Sequence, residues 1–94
     1  MRELRLPNDA IKDPQASEIL RVWISGENQG FVSRPDVWDD PAAWGLLLVD
    51  VARQIAQGYC QKHGGDPETV LSRIKEGLDA EWLAPTDGAS GEVS

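Results

Sequence analysis

The sequence predicts an α+β fold: an antiparallel β-hairpin or three-stranded sheet followed by two antiparallel amphipathic α-helices packed on one face. Three observations carry this expectation. Residues 19–34 are rich in β-formers with a polar, glycine-containing stretch at their middle, the pattern of a hairpin. Two later segments carry apolar residues at steps of three and four, the period of a helix with one buried face. Each of those two segments opens on the dipeptide Asp-Pro, at Asp40-Pro41 and at Asp66-Pro67.

At the start of the chain, MRELRLP alternates Leu4 and Leu6 and is a candidate edge strand. A first Asp-Pro pair, Asp13-Pro14, then reads as the cap of a single helical turn, because QASEILRVWIS soon becomes β-like. Leu20, Val22 and Ile24 alternate there against Ile19, Arg21 and Trp23. SGENQG reads as a turn and FVSR as the returning strand, which stops at Pro35. The register stays open: pairing Ile24 with Phe31 sets Arg21 opposite Arg34, and a one-residue slip reverses a strand's faces.

The two helices are punctuated at both ends. Proline holds the preceding residue in the extended conformation that an N-cap needs and suits the first helical position itself. The aspartate side chain accepts an orphan backbone N–H at the positive end of the helix dipole. After Asp40-Pro41, the residues Trp44, Leu47, Leu48, Val51, Ile55 and Tyr59 form an apolar face, with Asp50, Arg53, Gln54, Gln57 and Gln61 forming a polar stripe. Lys62 and His63 fall in the last turn, and Gly64-Gly65 supplies the left-handed stop. After Asp66-Pro67, Val70, Leu71, Ile74, Leu78 and Trp82 repeat the pattern until just before Pro85. A link this short makes the two helices antiparallel neighbours. Residues 1–84 are thus expected to form one domain, and residues 85–94 a disordered tail with nothing to bury. The near-equal spacing of the three Asp-Pro pairs is not a repeat, since the segments between them share no other pattern.

A chain of 94 residues buries only about 60–70% of the surface its unfolded form exposes, so every large apolar residue has a claim on a thin core. The 40% hydrophobic content, with 4 tryptophans, is that of a folding chain. With 16 acidic residues against 9 basic ones, scattered without a cluster, the net charge of -7 argues against nucleic acid and against anionic membrane surfaces as partners. The longest apolar run, Ala42 to Val49, is far shorter than the roughly 20 residues that cross a bilayer. The opening residues have no apolar stretch of the signal-peptide kind, and one cysteine, Cys60, makes no internal staple. The expectation is a cytoplasmic, soluble, reduced protein.

The segments EILRVWIS and DDPAAWGLLLVDVARQIAQGYC resemble a small family of uncharacterised proteobacterial proteins defined as a domain of unknown function. The resemblance runs over about residues 3 to 63. Its most specific parts are the VW strand and the DPAAWG helix start. It carries no activity and implies no catalytic residue; it implies that the hairpin and the first helix form one unit.

Three sets of residues are candidates for function. Cys60 and His63 share a helix face with CxxH spacing, but zinc takes four ligands and no second Cys or His pair exists, so they read as a small thiol and a solvent-facing imidazole. No metal site and no cofactor are expected. Asp36, Asp39 and Asp40 form an acidic cluster that lacks the glycine, the closing glutamate and the spacing of a calcium loop. Capping accounts for Asp40, and a solvated turn for the other two. If Leu20, Val22 and Ile24 meet the helices, Ile19 and Trp23 face the other way, with Trp38 able to fold over one edge. Either Leu4, Leu6 and Ile11 cover that face, or it is a contact surface for another protein.

Two classes of function follow. The leading one is a non-catalytic interaction module, a homodimer or the small subunit of a complex, with Ile19, Trp23 and Trp38 at the contact. The alternative is a small enzyme or ligand-binding protein that uses Asp36, Asp39 and Asp40 with His63, the one imidazole available for proton transfer near neutral pH.

Overall fold

The computed structural model describes residues 3–26, 28–86 and 90–93. The fold is α+β, as the sequence patterning indicates. Its elements run α1 (Asn8–Lys12), β1 (Leu20–Ser25), β2 (Asn28–Ser33), a single 3-10 turn (Pro35–Val37), α2 (Ala42–His63), α3 (Pro67–Leu83) and β3 (Ser90–Val93). The chain divides into two compact units, Met1–Val37 with Ala89–Ser94, and Trp38–Gly88.

In the first unit β1 and β2 pair antiparallel, with Leu20 opposite Ser33, Val22 opposite Phe31, Trp23 opposite Gly30 and Ser25 opposite Asn28. The connection is therefore two residues long, and Gly26 takes the left-handed conformation (φ 62°) that a tight hairpin turn asks of its first residue. Asn28, Gln29 and Gly30, expected in the turn, belong to β2. This register sets Arg21 opposite Val32, which removes the Arg21–Arg34 clash of the looser pairing. The Arg34 N–H extends the ladder by donating to the Ile19 carbonyl at 2.9 Å.

The third strand is not the N-terminal segment. Residues 3–7 form no strand, and the first helical turn follows Pro7 at Asn8–Lys12 rather than Asp13-Pro14. Instead Ser90–Val93, in the segment expected to be disordered, runs parallel to β2, which becomes the central strand. Gly91 lies opposite Phe31, and a Cβ added to it would come within 2.6 Å of the Phe31 ring. An aromatic ring laid over a facing glycine supplies the cross-strand packing that the glycine lacks.

The three Asp-Pro pairs share one local geometry. The Oδ1 of Asp13 accepts the Gln15 N–H at 2.8 Å, that of Asp40 the Ala42 N–H at 3.0 Å, and that of Asp66 the Glu68 N–H at 3.1 Å. After Asp13 the chain makes only a turn, because the β-formers that follow resist continuing it. After Asp40 and Asp66 it makes helices of 22 and 17 residues. Asp40→Ala and Asp66→Ala are each expected to lower stability by about 0.5–2 kcal/mol, and the Asn variants by less, because a neutral amide oxygen still caps. Urea unfolding of the four variants checks this; equal losses for Ala and Asn would assign the aspartates a charge-specific role instead.

The second unit is a helical hairpin. Gly64 ends α2 with φ 78° and ψ -177°, its N–H donating to the Cys60 carbonyl at 2.8 Å, and Gly65 follows at φ 101°. Asp66 then caps α3, which packs against α2. At the far end of α3, the Thr86 N–H and hydroxyl both donate to Glu81 Oε1 at 2.9 Å, tying down the chain where the helix stops. Along α2, Ala52, Ala56 and Cys60 lie one turn apart, and Ala56, 1% exposed, is the one fully buried residue among those described.

Candidate functional site

The strand alternation places Arg21 and Trp23 on one face of the hairpin with Val32, and Val22 and Ile24 on the other with Phe31. On the first face a cleft of about 420 Å³ runs along Ser17, Ile19, Arg21, Trp23 and Arg34. Ile19 and Trp23 are half-buried in it. The Arg21 guanidinium sits 5.4 Å from the centre of the Trp23 ring, within cation–π range, and grips the Glu18 carboxylate with both ends of its fork, Nε donating to Oε2 at 2.8 Å and Nη2 to Oε1. It is the opposite face that stays more open, with Val22 57% and Ile24 79% exposed.

The hydrogen bond from Arg21, aided by its charge, holds the Glu18 carboxyl below its ordinary value. Its folded-state pKa is depressed, so the ion pair stabilises the fold above the ordinary glutamate range and that contribution is lost as pH falls through the lowered value. The Trp23 indole resonance is expected to shift in an acid titration with its midpoint below the usual glutamate pKa, and to lose that step in Glu18→Gln. A midpoint at or above the ordinary value would show that the pair does not hold in solution.

The acidic turn and the imidazole are not brought together. Asp40 caps the start of α2, whereas His63 is its last residue, so the helix separates them by roughly 30 Å. Asp36 belongs to the 3-10 turn of the first unit. His63 lies beside Tyr59, ring centres 6.3 Å apart, and Cys60 is a free, half-buried thiol. Among the described residues no three His, Cys, Asp or Glu side chains come close enough to share a cation. Trp38 packs edge-on against Trp44 at 5.3 Å, within the second unit, while Ile19 and Trp23 belong to the first.

A second surface was not singled out by the sequence patterning. Between α2 and α3 a mainly apolar groove of about 570 Å³ is lined by Leu48, Val49, Leu71, Ile74, Leu78 and Trp82, with Arg53, Glu68 and Lys75 also lining it. Trp82 is 80% exposed, and Leu48, Val49 and Leu78 each about half. Its signal in the sequence is the breadth of the apolar arc on α2. Leu46 and Val49 fall outside the stripe from Trp44 to Tyr59, and a helix apolar over so much of its circumference needs more than one neighbour.

A three-stranded mixed sheet joined to a capped helical hairpin defines a small α+β domain. Residues 3–86 match the model of the family described as a domain of unknown function (DUF5076), and the chain belongs to that family. The match runs past Gly64 and takes in α3, beyond the reach of the VW and DPAAWG segments. Among solved structures, a protein of the photosynthetic bacterium Rhodopseudomonas palustrus CGA009, described as a "putative pyruvate dehydrogenase", is similar over 100% of this chain and 96% of its own, at 34% identity and a TM-score of 0.77. No curated protein matches the chain. Among the described residues, no helix is long and apolar enough to cross a membrane.

Proposed function

We propose that the chain is a non-catalytic interaction module, acting as a homodimer or as the small subunit of a complex in the cytoplasm. The observation that carries this reading is the apolar surface of the helical hairpin. A stable domain covers the apolar stripe of each helix with a further layer. Here Val51, Ile55 and Tyr59 are 42–55% exposed, as well as the groove and its Trp82. The cleft holding Ile19 and Trp23 is the second contact surface in this reading. The enzymatic alternative is disfavoured because the single imidazole and the acidic turn occupy opposite ends of α2.

Light scattering of the purified chain, together with binding of an apolar fluorescent dye, tests the proposal. A mass of two or more chains, or a single-chain mass with strong dye binding, is expected, since an uncovered apolar face takes up either a protein or the dye. A single-chain mass without dye binding would overturn it, because the face would then be covered within the chain.

A further inference from the structure

We propose that the cleft on the Arg21 and Trp23 face of the hairpin binds a carboxylate carried on a small apolar body. The inference rests on the reading of that cleft as a contact surface and names the chemical group it recognises. The pairing of β1 with β2 continues one step beyond Ser33, since the Arg34 N–H donates to the Ile19 carbonyl at 2.9 Å. Arg34 therefore stands opposite Ile19 and shares a face with Arg21 and Trp23. Arg21 lies opposite Val32, two residues before Arg34, so the two arginines are diagonal neighbours about 7–8 Å apart, within reach of one bound group. Both line the cleft, and Ile19, Trp23 and Val32 supply its apolar part. Its volume of about 420 Å³ falls within the roughly 300–1,000 Å³ of small-ligand sites.

Charge selects the ligand. Like charges set side by side on a sheet repel, yet in a chain with 16 acidic residues these two arginines share one carboxylate partner. Glu18 takes Arg21 through Nε and Nη2, which leaves Nη1 without a partner among the described residues. Arg34 has no ion pair among the described residues. The lining thus carries two guanidinium charges against one carboxylate, and Glu3, which also favours the charged form of Arg21, stands outside it. An excess of one positive charge suits a monoanion and leaves a phosphate dianion half-neutralised. The planar guanidinium fork matches a carboxylate in geometry. The grip of Glu18 and the stacking on Trp23 hold Arg21 in place before a ligand arrives, so less side-chain freedom is lost on binding. Ile19 and Trp23 are half-buried beside these charges and take up the apolar body.

Such a group is carried by a free acid or by the last residue of a polypeptide, and the test separates the two. The full chain is titrated with phenylacetate, with its neutral amide, and with a tripeptide ending in phenylalanine as free acid and as C-terminal amide, while the Trp23 indole resonance is followed. Saturable binding is expected for at least one of the two acids, with its amide weaker by about tenfold or more. Arg34→Gln is expected to weaken that acid by about tenfold or more, with the helical circular dichroism unchanged. Binding of phenylacetate assigns the cleft to a small acid, and binding of the peptide acid alone assigns it to a chain end. An amide that binds as well as its acid would overturn the carboxylate, a comparison made on the wild-type chain and so independent of how Arg34→Gln folds. No saturable shift with any of the four, or binding that a folded Arg34→Gln leaves unaltered, would overturn the site. Either result leaves the mass and dye binding of the chain untouched, so the interaction reading stands or falls separately.

Discussion

Ala56→Leu is expected to be among the most damaging single substitutions in the chain. Ala56 is 1% exposed on the face of α2 that carries Ala52 and Cys60, where α3 packs. Packed helices lie about 8–10 Å apart, the distance depending on the side chains between them, and added methylenes at a buried alanine must displace its neighbours. Overpacking of this kind costs about 1–3 kcal/mol, a large share of the stability of a chain this short. Urea denaturation followed by circular dichroism is the check. A loss near zero would mean that α2 and α3 do not pack through this stripe, whereas Ala56→Gly should lose only the roughly 1 kcal/mol of helix propensity.

Gly64→Val is expected to be the other large effect. The residue combines φ 78° with ψ -177°, a region that only glycine occupies at low cost, and it is followed by a second positive φ at Gly65. A β-branched side chain there adds about 1–3 kcal/mol of backbone strain, although open space surrounds the position. The strain is relieved only by moving the chain, which would displace α3 from α2. The expected result is a lower unfolding midpoint and increased binding of an apolar dye, while Gly26→Val, in the hairpin, leaves the helical signal intact. An unchanged midpoint in Gly64→Val would contradict the left-handed turn.

The parts of this fold that were legible in the sequence are those fixed by local chemistry. Asp40-Pro41 and Asp66-Pro67 mark helix starts because one side-chain oxygen and one fixed φ meet the needs of the first turn, and Gly64 marks a stop because it alone accepts the required backbone. Asp13 makes the same hydrogen bond, yet no helix follows, because the residues after it prefer a strand. The sheet was less legible because its pairing is non-local. Asn28, Gln29 and Gly30 look like turn residues, and only the two-residue turn at Gly26 commits them to β2. Ser90–Val93 has no run of β-formers, and its pairing with β2 joins residues about sixty apart in the chain, which local patterning does not register.

The candidate sites divide in the same way. The cleft at Ile19 and Trp23 follows from strand alternation, but its Arg21–Glu18 clamp depends on the rotamers of two long side chains that spacing alone does not determine. The acidic cluster and His63 were both visible, and the length of α2 is what separates them. The groove was hidden because Leu48, Leu78 and Trp82 each read as core positions of their own helix, while Val49 fell outside the stripe of α2. Only the packing of α2 on α3 shows how much of Trp82 is left outside the seam.

The most direct test of the homodimer reading, in which a second copy covers the apolar helical surface, is the dependence of the urea unfolding midpoint on protein concentration. Folding coupled to dimerisation obeys mass action, so the midpoint should rise steadily as the concentration is raised from about 1 to 100 µM, and this rise should vanish in Trp82→Glu. A wild-type midpoint that stays constant across that range would contradict that reading.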